Sequence, residues 1–244
     1  MPPLYPIFVN LQCRPCLVVG GGAVAERKVM GLLAAEAQVT VVSPEATEVL
    51  RALAEQGRIR WLARPFAPDD VSGMVLVVAA TNRPEVNAQV SEAAQQHGVW
   101  VNVVDQPQRC TFFVPSVVRR GDLVLAVSTG GASPALARRI RQELERRYEE
   151  AYARYVDNLA ALRAYVQERI SDEATRRALL ARFADDPWRE AALVEDAETW
   201  RARAQAYVDA QVGTASERAE EPDPADGAGA ARGAKSMRDA ENGG

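Results

Sequence analysis

Along the first hundred residues, apolar runs of strand length alternate with stretches of helical periodicity. Cys16-Leu17-Val18-Val19-Gly20 is such a run and stops at three glycines. Residues 23–35 read as a helix, with Val24, Leu32 and Leu33 among the apolar positions. The β-branched run Val39-Thr40-Val41-Val42 predicts a second strand. A helix through Leu50 and Leu53 and a short strand near Ile59-Arg60-Trp61 come next. Residues 74–80 are apolar without interruption, as expected for a strand covered on both faces. Pro84 then opens a helix that runs to Gln96, at a first position where its missing N–H costs nothing. His97, before Gly98, sits where a helix's negative end favours a cation. Residues 99–104 supply the next strand. Such alternation predicts an α/β fold with a parallel sheet and right-handed crossovers.

The pattern then changes. Thr111-Phe112-Phe113-Val114 and Leu123-Val124-Leu125-Ala126-Val127 read as two strands flanking Arg119-Arg120-Gly121-Asp122, with no long helix between them. Ser128-Thr129-Gly130-Gly131-Ala132-Ser133-Pro134 is a turn in which Ser133 suits an N-cap and Pro134 the first helical position. Leu136, Ile140, Leu144 and Tyr148 form one stripe beyond it. Because Gly and Pro are missing from 135–186, that region is expected to be helical throughout or nearly so. Asp186-Pro187 restarts a helix expected to run past Trp200. Residues 213–244 carry no aromatic side chain and are rich in Gly, Ala, Glu, Asp, Arg and Pro. Too little apolar surface is present there to offset ordering, so a disordered tail is expected. The organisation predicted is a Rossmann-type domain over 1–112, a small α+β dimerisation region over 113–150, a helical region over 151–212 and the tail over 213–244.

Composition narrows the function classes. At 48% hydrophobic and 25% charged the chain is an ordinary globular protein. A net charge of -4 argues against nucleic acid or an acidic membrane as a partner. The N-terminus has no basic region or long apolar run, and no stretch approaches the ~20 apolar residues of a membrane span. The cytoplasm is the expected compartment. Three cysteines do not make a disulfide framework. Cys13-Arg14-Pro15-Cys16 lacks a second CxxC, and His97 is the chain's one histidine, so a zinc site lacks ligands and no metal site is predicted.

Gly20-Gly21-Gly22-Ala23-Val24-Ala25 fits the dinucleotide fingerprint G-x-G-x-x-[GA]. It follows a predicted strand and opens a predicted helix, which is the context the motif requires. Gly20 makes the tight turn, Gly22 admits a pyrophosphate to the backbone, and Ala25 lets helix pack closely on strand. The second strand ends in Ser43-Pro44-Glu45. Glu45 could hold ribose hydroxyls, and Ser43 and Glu45 could equally cap a helix. With no arginine there to meet a 2′-phosphate, NAD is preferred to NADP. Thr81 lies past the long apolar strand, beside the expected cofactor. Asn102 and Asp105 lie at the carboxyl end of the next strand, where Asp105 reads either as a general base or acid or as a turn-forming residue.

These segments together resemble the precorrin-2 dehydrogenase and sirohydrochlorin ferrochelatase family, including the N-terminal half of bifunctional siroheme synthases. The residues that carry the resemblance are Pro6-Ile7-Phe8, 18–28, Ala79-Ala80-Thr81, 101–105, Phe113-Val114-Pro115-Ser116 and 128–138. It implies NAD-dependent oxidation of precorrin-2 to sirohydrochlorin and, in many members, Fe²⁺ insertion giving siroheme. It places Ala23 and Val24 on the first cofactor turn, Pro44 and Glu45 on the second, Asp105 at the chemistry, and Ser128 near the active site. The methyltransferase domain of the fused synthases is not expected in 147–244. A tetrapyrrole with eight carboxylates calls for cations and helix N-termini around a wide cleft. Arg109, Arg119, Arg120 and Arg138 are candidates, each of which reads equally as a solvated surface charge. The competing reading is a nucleotide-sensing Rossmann module without catalysis; Asp105 and the turn at 128–134 weigh against it.

Overall fold

A computed structural model describes residues 3–220. It divides into two compact units, Met1–Ser116 with Ala126–Arg141, and Val117–Leu125 with Gln142–Gly244. The first unit is built on β1 (Pro15–Val19), β2 (Gln38–Val42), β3 (Arg60–Leu62), β4 (Leu76–Ala79) and β5 (Trp100–Val103). These form one parallel sheet in the order β3-β2-β1-β4-β5. Helices α1 (Ala23–Leu33), α2 (Glu48–Glu55) and α3 (Pro84–Gln96) alternate with the strands. This is the doubly wound arrangement expected from the alternation, with the reversal of strand order falling between β1 and β4.

Side-chain alternation sorts the sheet into two apolar faces. Cys16, Val18, Val39, Val41, Leu76 and Val78 share a core with Ala25 and Val29 of α1 and Leu50 of α2. Leu17, Val19, Val77, Ala79, Val101 and Val103 pack with Val90, Ala93 and Ala94 of α3. β1 and β4 are buried on both faces, which is why they read as continuous apolar runs. Each fully buried Val or Leu contributes about 1.5–3 kcal/mol.

Several element ends differ from expectation. α1 stops at Leu33, because Glu36 takes a left-handed conformation (φ 56°) and Ala37 N–H bonds back to the Leu32 carbonyl. The strand expected at 111–114 is instead a return segment bound to β5. Thr111 N–H donates to the Val101 carbonyl and the Thr111 hydroxyl accepts from Val101 N–H. The strand of this region is β6 (Ser116–Arg120), which pairs with β7 (Leu123–Val127) through a turn at Gly121 (φ 54°). Arg119 and Arg120 therefore sit in a strand rather than between two.

α4 (Pro134–Arg147), α5 (Ala151–Arg169), α6 (Glu173–Arg182), α7 (Asp186–Val194) and α8 (Ala197–Glu220) occupy the remainder. The region expected to be helical throughout or nearly so is interrupted at 148–150, 170–172 and 183–185, although no Gly or Pro lies there. Side chains supply the stops. Arg120 donates to the carbonyls of Glu145 and Tyr148 at the end of α4, and Asp172 accepts from Thr175 N–H to start α6. The helix expected past Trp200 is likewise two helices, since Asp196 accepts from Thr199 N–H as α8 begins. α8 carries regular helix through Gly213 to Glu220, because Ala, Glu and Arg around it outweigh one glycine. The tail expected from 213 thus begins in helix, and 221–244 lie outside the described residues. Among the described residues no helix is long and apolar enough to cross a membrane.

The second unit has its own core of Tyr155, Leu162, Val166, Phe183, Trp200, Ala204 and Val208. Trp200 is fully buried, donates its indole N–H to the Trp188 carbonyl, and meets Tyr155, Phe183 and Trp188 edge to face. Replacing Trp200 with Ala is expected to cost about 3–5 kcal/mol. Urea unfolding followed by far-UV circular dichroism checks this, and an unchanged midpoint would contradict the packing.

Candidate functional site

The sheet's carboxyl edge collects the residues that the sequence singled out. Val19, Ala79 and Val103 stand abreast in β1, β4 and β5. The ladder continues one residue further, with Gly20 N–H bonding the Val42 carbonyl, Ala80 N–H the Val19 carbonyl, and Val104 N–H the Ala79 carbonyl. At about 4.8 Å per strand, the turn leaving β5 lies about 10 Å across the edge from the turn leaving β1.

Each glycine of the β1–α1 turn meets a different limit. Gly20 has φ 125°, and a Cβ there would lie 2.4 Å from the Ala80 carbonyl oxygen. At Gly21 a Cβ would lie 1.9 Å from the Glu45 carbonyl oxygen. Gly22 has nothing within 4 Å of a Cβ position and is exposed. It is the N-cap of α1 and offers no side chain to the first-turn N–H groups, which an anion can therefore take. Ala23 is exposed and Val24 half-buried on that first turn, and Ala25 is fully buried against the strand. The open Gly22 position beside uncapped N–H groups fits a dinucleotide pyrophosphate. The fingerprint leaves its second position free and so does not mark Gly21, whose steric demand is as strict as that of Gly20.

A short network fixes the loop after β2. The Ser43 hydroxyl donates to the Glu45 carbonyl, Trp61 Nε1 donates to the Ser43 carbonyl (3.0 Å), and Thr47 N–H donates to the Gly21 carbonyl (2.9 Å). Thr47, not Ser43 or Glu45, caps α2, accepting from Leu50 N–H. The Thr47 hydroxyl donates to the Glu26 carboxylate at 2.7 Å. Pro44 and Glu45 remain exposed, so the Glu45 carboxylate is not consumed by capping. Thr81 serves α3 internally: its hydroxyl bonds Asn87 Oδ1 at 2.8 Å and the Arg83 carbonyl at 3.1 Å.

Asp105 is exposed on the turn after β5 and adopts φ 59°. That left-handed conformation is uncommon for a side-chain-bearing residue and concentrates at functional sites, although Asp tolerates it better than most. Asn102 is buried, and its amide donates to the Phe112 carbonyl at 3.1 Å. Its amide thereby ties the return segment that follows the Asp105 turn to β5. Cys110 assists, accepting from Val103 N–H at 3.2 Å, and burial holds its thiol above the ordinary range. Cys16 is fully buried and pushed up to about 11, again by burial, while Cys13 is exposed.

The expected arginines separate. Arg109 lies 3.8 Å from the Glu92 carboxylate, Arg138 is exposed on α4, and Arg119 is exposed on β6 in the second unit. The Arg120 guanidinium serves the end of α4 and pairs with Glu150 at 3.2 Å. Ser128 is exposed, and its hydroxyl accepts from Gly130 N–H at 3.2 Å. Gly130 and Gly131 have φ 60° and 83°, and Ser133 caps α4 by accepting from Leu136 N–H. Among the described residues no group of three or more His, Cys, Asp or Glu is placed to hold a metal ion.

Comparison with known proteins bears on both the sheet and the segment beyond it. Residues 7–116 match an NAD(P)-binding family model, and residues 120–147 match one described as the sirohaem biosynthesis protein central region. A siroheme synthase of Methylobacillus flagellatus is 49% identical over 172 residues, covering 70% of this chain and 37% of that protein. One from Nitrosomonas europaea is 44% identical over 186 residues, covering 76% and 39%. The chain thus spans less than half the length of these curated relatives. The solved structure of SirC, precorrin-2 dehydrogenase, superposes with a TM-score of 0.71 at 28% identity, covering 86% of this chain and 100% of that one.

The glycine geometry separates fold from binding. Gly21→Ala forces the Glu45 loop to move and is expected to destabilise by about 1–3 kcal/mol. Gly22→Ala meets no neighbour and is expected to leave the melting temperature nearly unchanged. Thermal melts of the two variants check this ranking, and equal losses would contradict it.

Proposed function

We propose that this chain belongs with the siroheme-synthase N-terminal regions and precorrin-2 dehydrogenases and oxidises precorrin-2 to sirohydrochlorin using NAD. The observation that carries the reading is the likeness to SirC over the whole of that chain. NAD supplies the nicotinamide that takes up a hydride. Gly20 and Gly22, with Ala23 and Val24, hold its pyrophosphate at the start of α1. Pro44 and Glu45 border the ribose, where the absence of arginine at 43–47 favours NAD over NADP. Thr81, through its turn with Asn87, shapes the edge of the crevice.

Asp105 takes the proton released as the hydride leaves the macrocycle. One C–H bond breaks toward the cofactor with its electron pair, and a second C–H or N–H bond gives its proton to the carboxylate while its electron pair completes the new double bond, which balances a two-electron oxidation. Substrate carboxylates are met by Arg138 and by Ser128 with the glycine turn ahead of α4. Arg119 is an exposed cation of the second unit. Fe²⁺ enters this proposal only as a substrate of a second step giving siroheme, with Asp105 as the acceptor of pyrrole protons. The compartment proposed is the cytoplasm.

Incubation with precorrin-2 and NAD is expected to give sirohydrochlorin absorbance and NADH together. Asp105→Asn keeps the shape and loses the base, so kcat should fall about 10²–10⁴-fold with NAD affinity unchanged. A raised KM with little change in kcat would make Asp105 a substrate-orienting group instead. Wild-type values for both would remove it from the mechanism. Adding Fe²⁺ to the product mixture tests the second step by siroheme absorbance.

A homodimer is proposed as well. The β6–β7 hairpin is a two-stranded sheet whose outer edges are unpaired, and Val114, Val117 and Leu136 are exposed in the same stretch. Two strands are marginal alone and are readily completed by a symmetric copy. Sedimentation equilibrium at micromolar concentration is expected to give a dimer mass, and a monomer would overturn this.

A further inference from the structure

Lys28 is the one lysine among the described residues, and neither the fingerprint nor the proposed chemistry uses it. Its place follows from the helix. Ala25 and Val29 are fully buried and turn α1 toward the sheet. At about 100° per residue, Glu26 and Lys28 fall about 80° to either side of that buried stripe. Glu26 faces β2, because its carboxylate receives the Thr47 hydroxyl. With the strands ordered β2-β1-β4-β5, the flank of Lys28 faces β4 and β5. Val104 and Phe112, which bracket the Asp105 turn, pack on the same core as Ala25 and Val29.

We propose that Lys28 is a positioning residue whose ammonium holds the Asp105 carboxylate in place on the turn that leaves β5. Burial lowers the Lys28 ammonium below the usual lysine range and the neighbouring Arg27 adds to this, while Cys110 and Asp105 act in the opposite sense. Of these two neighbours, a carboxylate rather than a thiol is the ordinary anion near neutral pH, so Asp105 is the partner for the Lys28 charge. The half-buried stem of Lys28 packs along α1 and delivers the charge from beneath the turn, leaving the exposed side of Asp105 open. Cys110 accepts from Val103 N–H of β5 and donates to the Gln106 carbonyl of this turn, which links its backbone to β5; Lys28 ties its side chain to α1.

This deepens the oxidation reading and rests on it, so the test has one arm that needs no substrate. Urea unfolding of wild type, Lys28→Met, Asp105→Asn and the double variant forms a cycle. Lys28→Met is expected to lower the midpoint in the wild-type background and to leave it unchanged in the Asp105→Asn background. Additive effects would overturn the pairing. In turnover, Lys28→Met is expected to lower kcat about 10-fold or more with the KM for NAD unchanged. Lys28→Arg should restore most of the loss, because it keeps the charge. Coupled stability with an unaltered kcat would overturn the positioning role. Wild-type protein that fails to oxidise precorrin-2 would defeat the oxidation reading, and the unfolding cycle then decides the pairing by itself.

Discussion

Where β1 ends, two carbonyl oxygens close on the backbone from neighbouring segments, that of Ala80 beyond β4 and that of Glu45 beyond β2. Only main chain without a Cβ passes between them. Gly20 and Gly21 meet that constraint, and much else at the edge of the sheet depends on it. The turn brings α1 back over β1 with Ala25 and Val29 against the strands. It also leaves Gly22 outside the crowded part, at an uncapped helix N-terminus where an anion's charge is favoured. Tight packing below and open space above are two consequences of the same backbone path.

Helix α1 then works as a brace between two turns. On one flank Glu26 accepts the hydroxyl of Thr47, which also caps α2 and whose N–H bonds the Gly21 carbonyl. The loop that would meet the ribose is thus fixed by three bonds converging on one threonine. On the other flank lies Lys28, facing the turn that carries Asp105. Cys110 spends its thiol on Val103 of β5 and the Gln106 carbonyl of that turn, Asn102 holds the segment that follows at Phe112, and between them Asp105 keeps its left-handed conformation. Charge-bearing residues of opposite sign thus stand on the two sides of one helix, Glu26 bonded to one loop and Lys28 proposed to hold the other.

The helical unit shows a different balance. Its core is aromatic, with Tyr155, Phe183, Trp188, Trp200 and Tyr207 meeting mostly edge to face. Polar ends of these rings are satisfied by backbone: the Tyr155 hydroxyl donates to the Phe183 carbonyl and the Trp200 indole to that of Trp188. Helix ends here are set by side chains that arrive from elsewhere in the unit, Arg120 being the clearest case. Two of its donors cover the carbonyls of Glu145 and Tyr148 at the end of α4.

Much of this was legible in the chain itself. Uninterrupted apolar runs at β1 and β4 require cover on both faces, and glycines after a strand and before a helix require a tight turn, so the parallel sheet and its cofactor edge follow from local pattern. The tail's polarity and the polar character of the 128–134 turn are equally local. What the sequence could not determine depends on partners far along the chain. Gly21 is obligatory only because Glu45, 24 residues on, passes overhead. Thr47 caps α2 in place of Ser43 or Glu45 because the loop between them is pinned to Trp61 and Gly21. Thr111 to Val114 had the composition of a strand and became a return segment, since Thr111 and Asn102 bind it to β5. Asn102 and Arg120 look outward-facing by type and turn inward to satisfy backbone carbonyls. Periodicity records which residues must be buried; which polar group satisfies which buried donor or acceptor is settled only when the segments meet, because an unpaired buried polar group costs more than any local preference can offset.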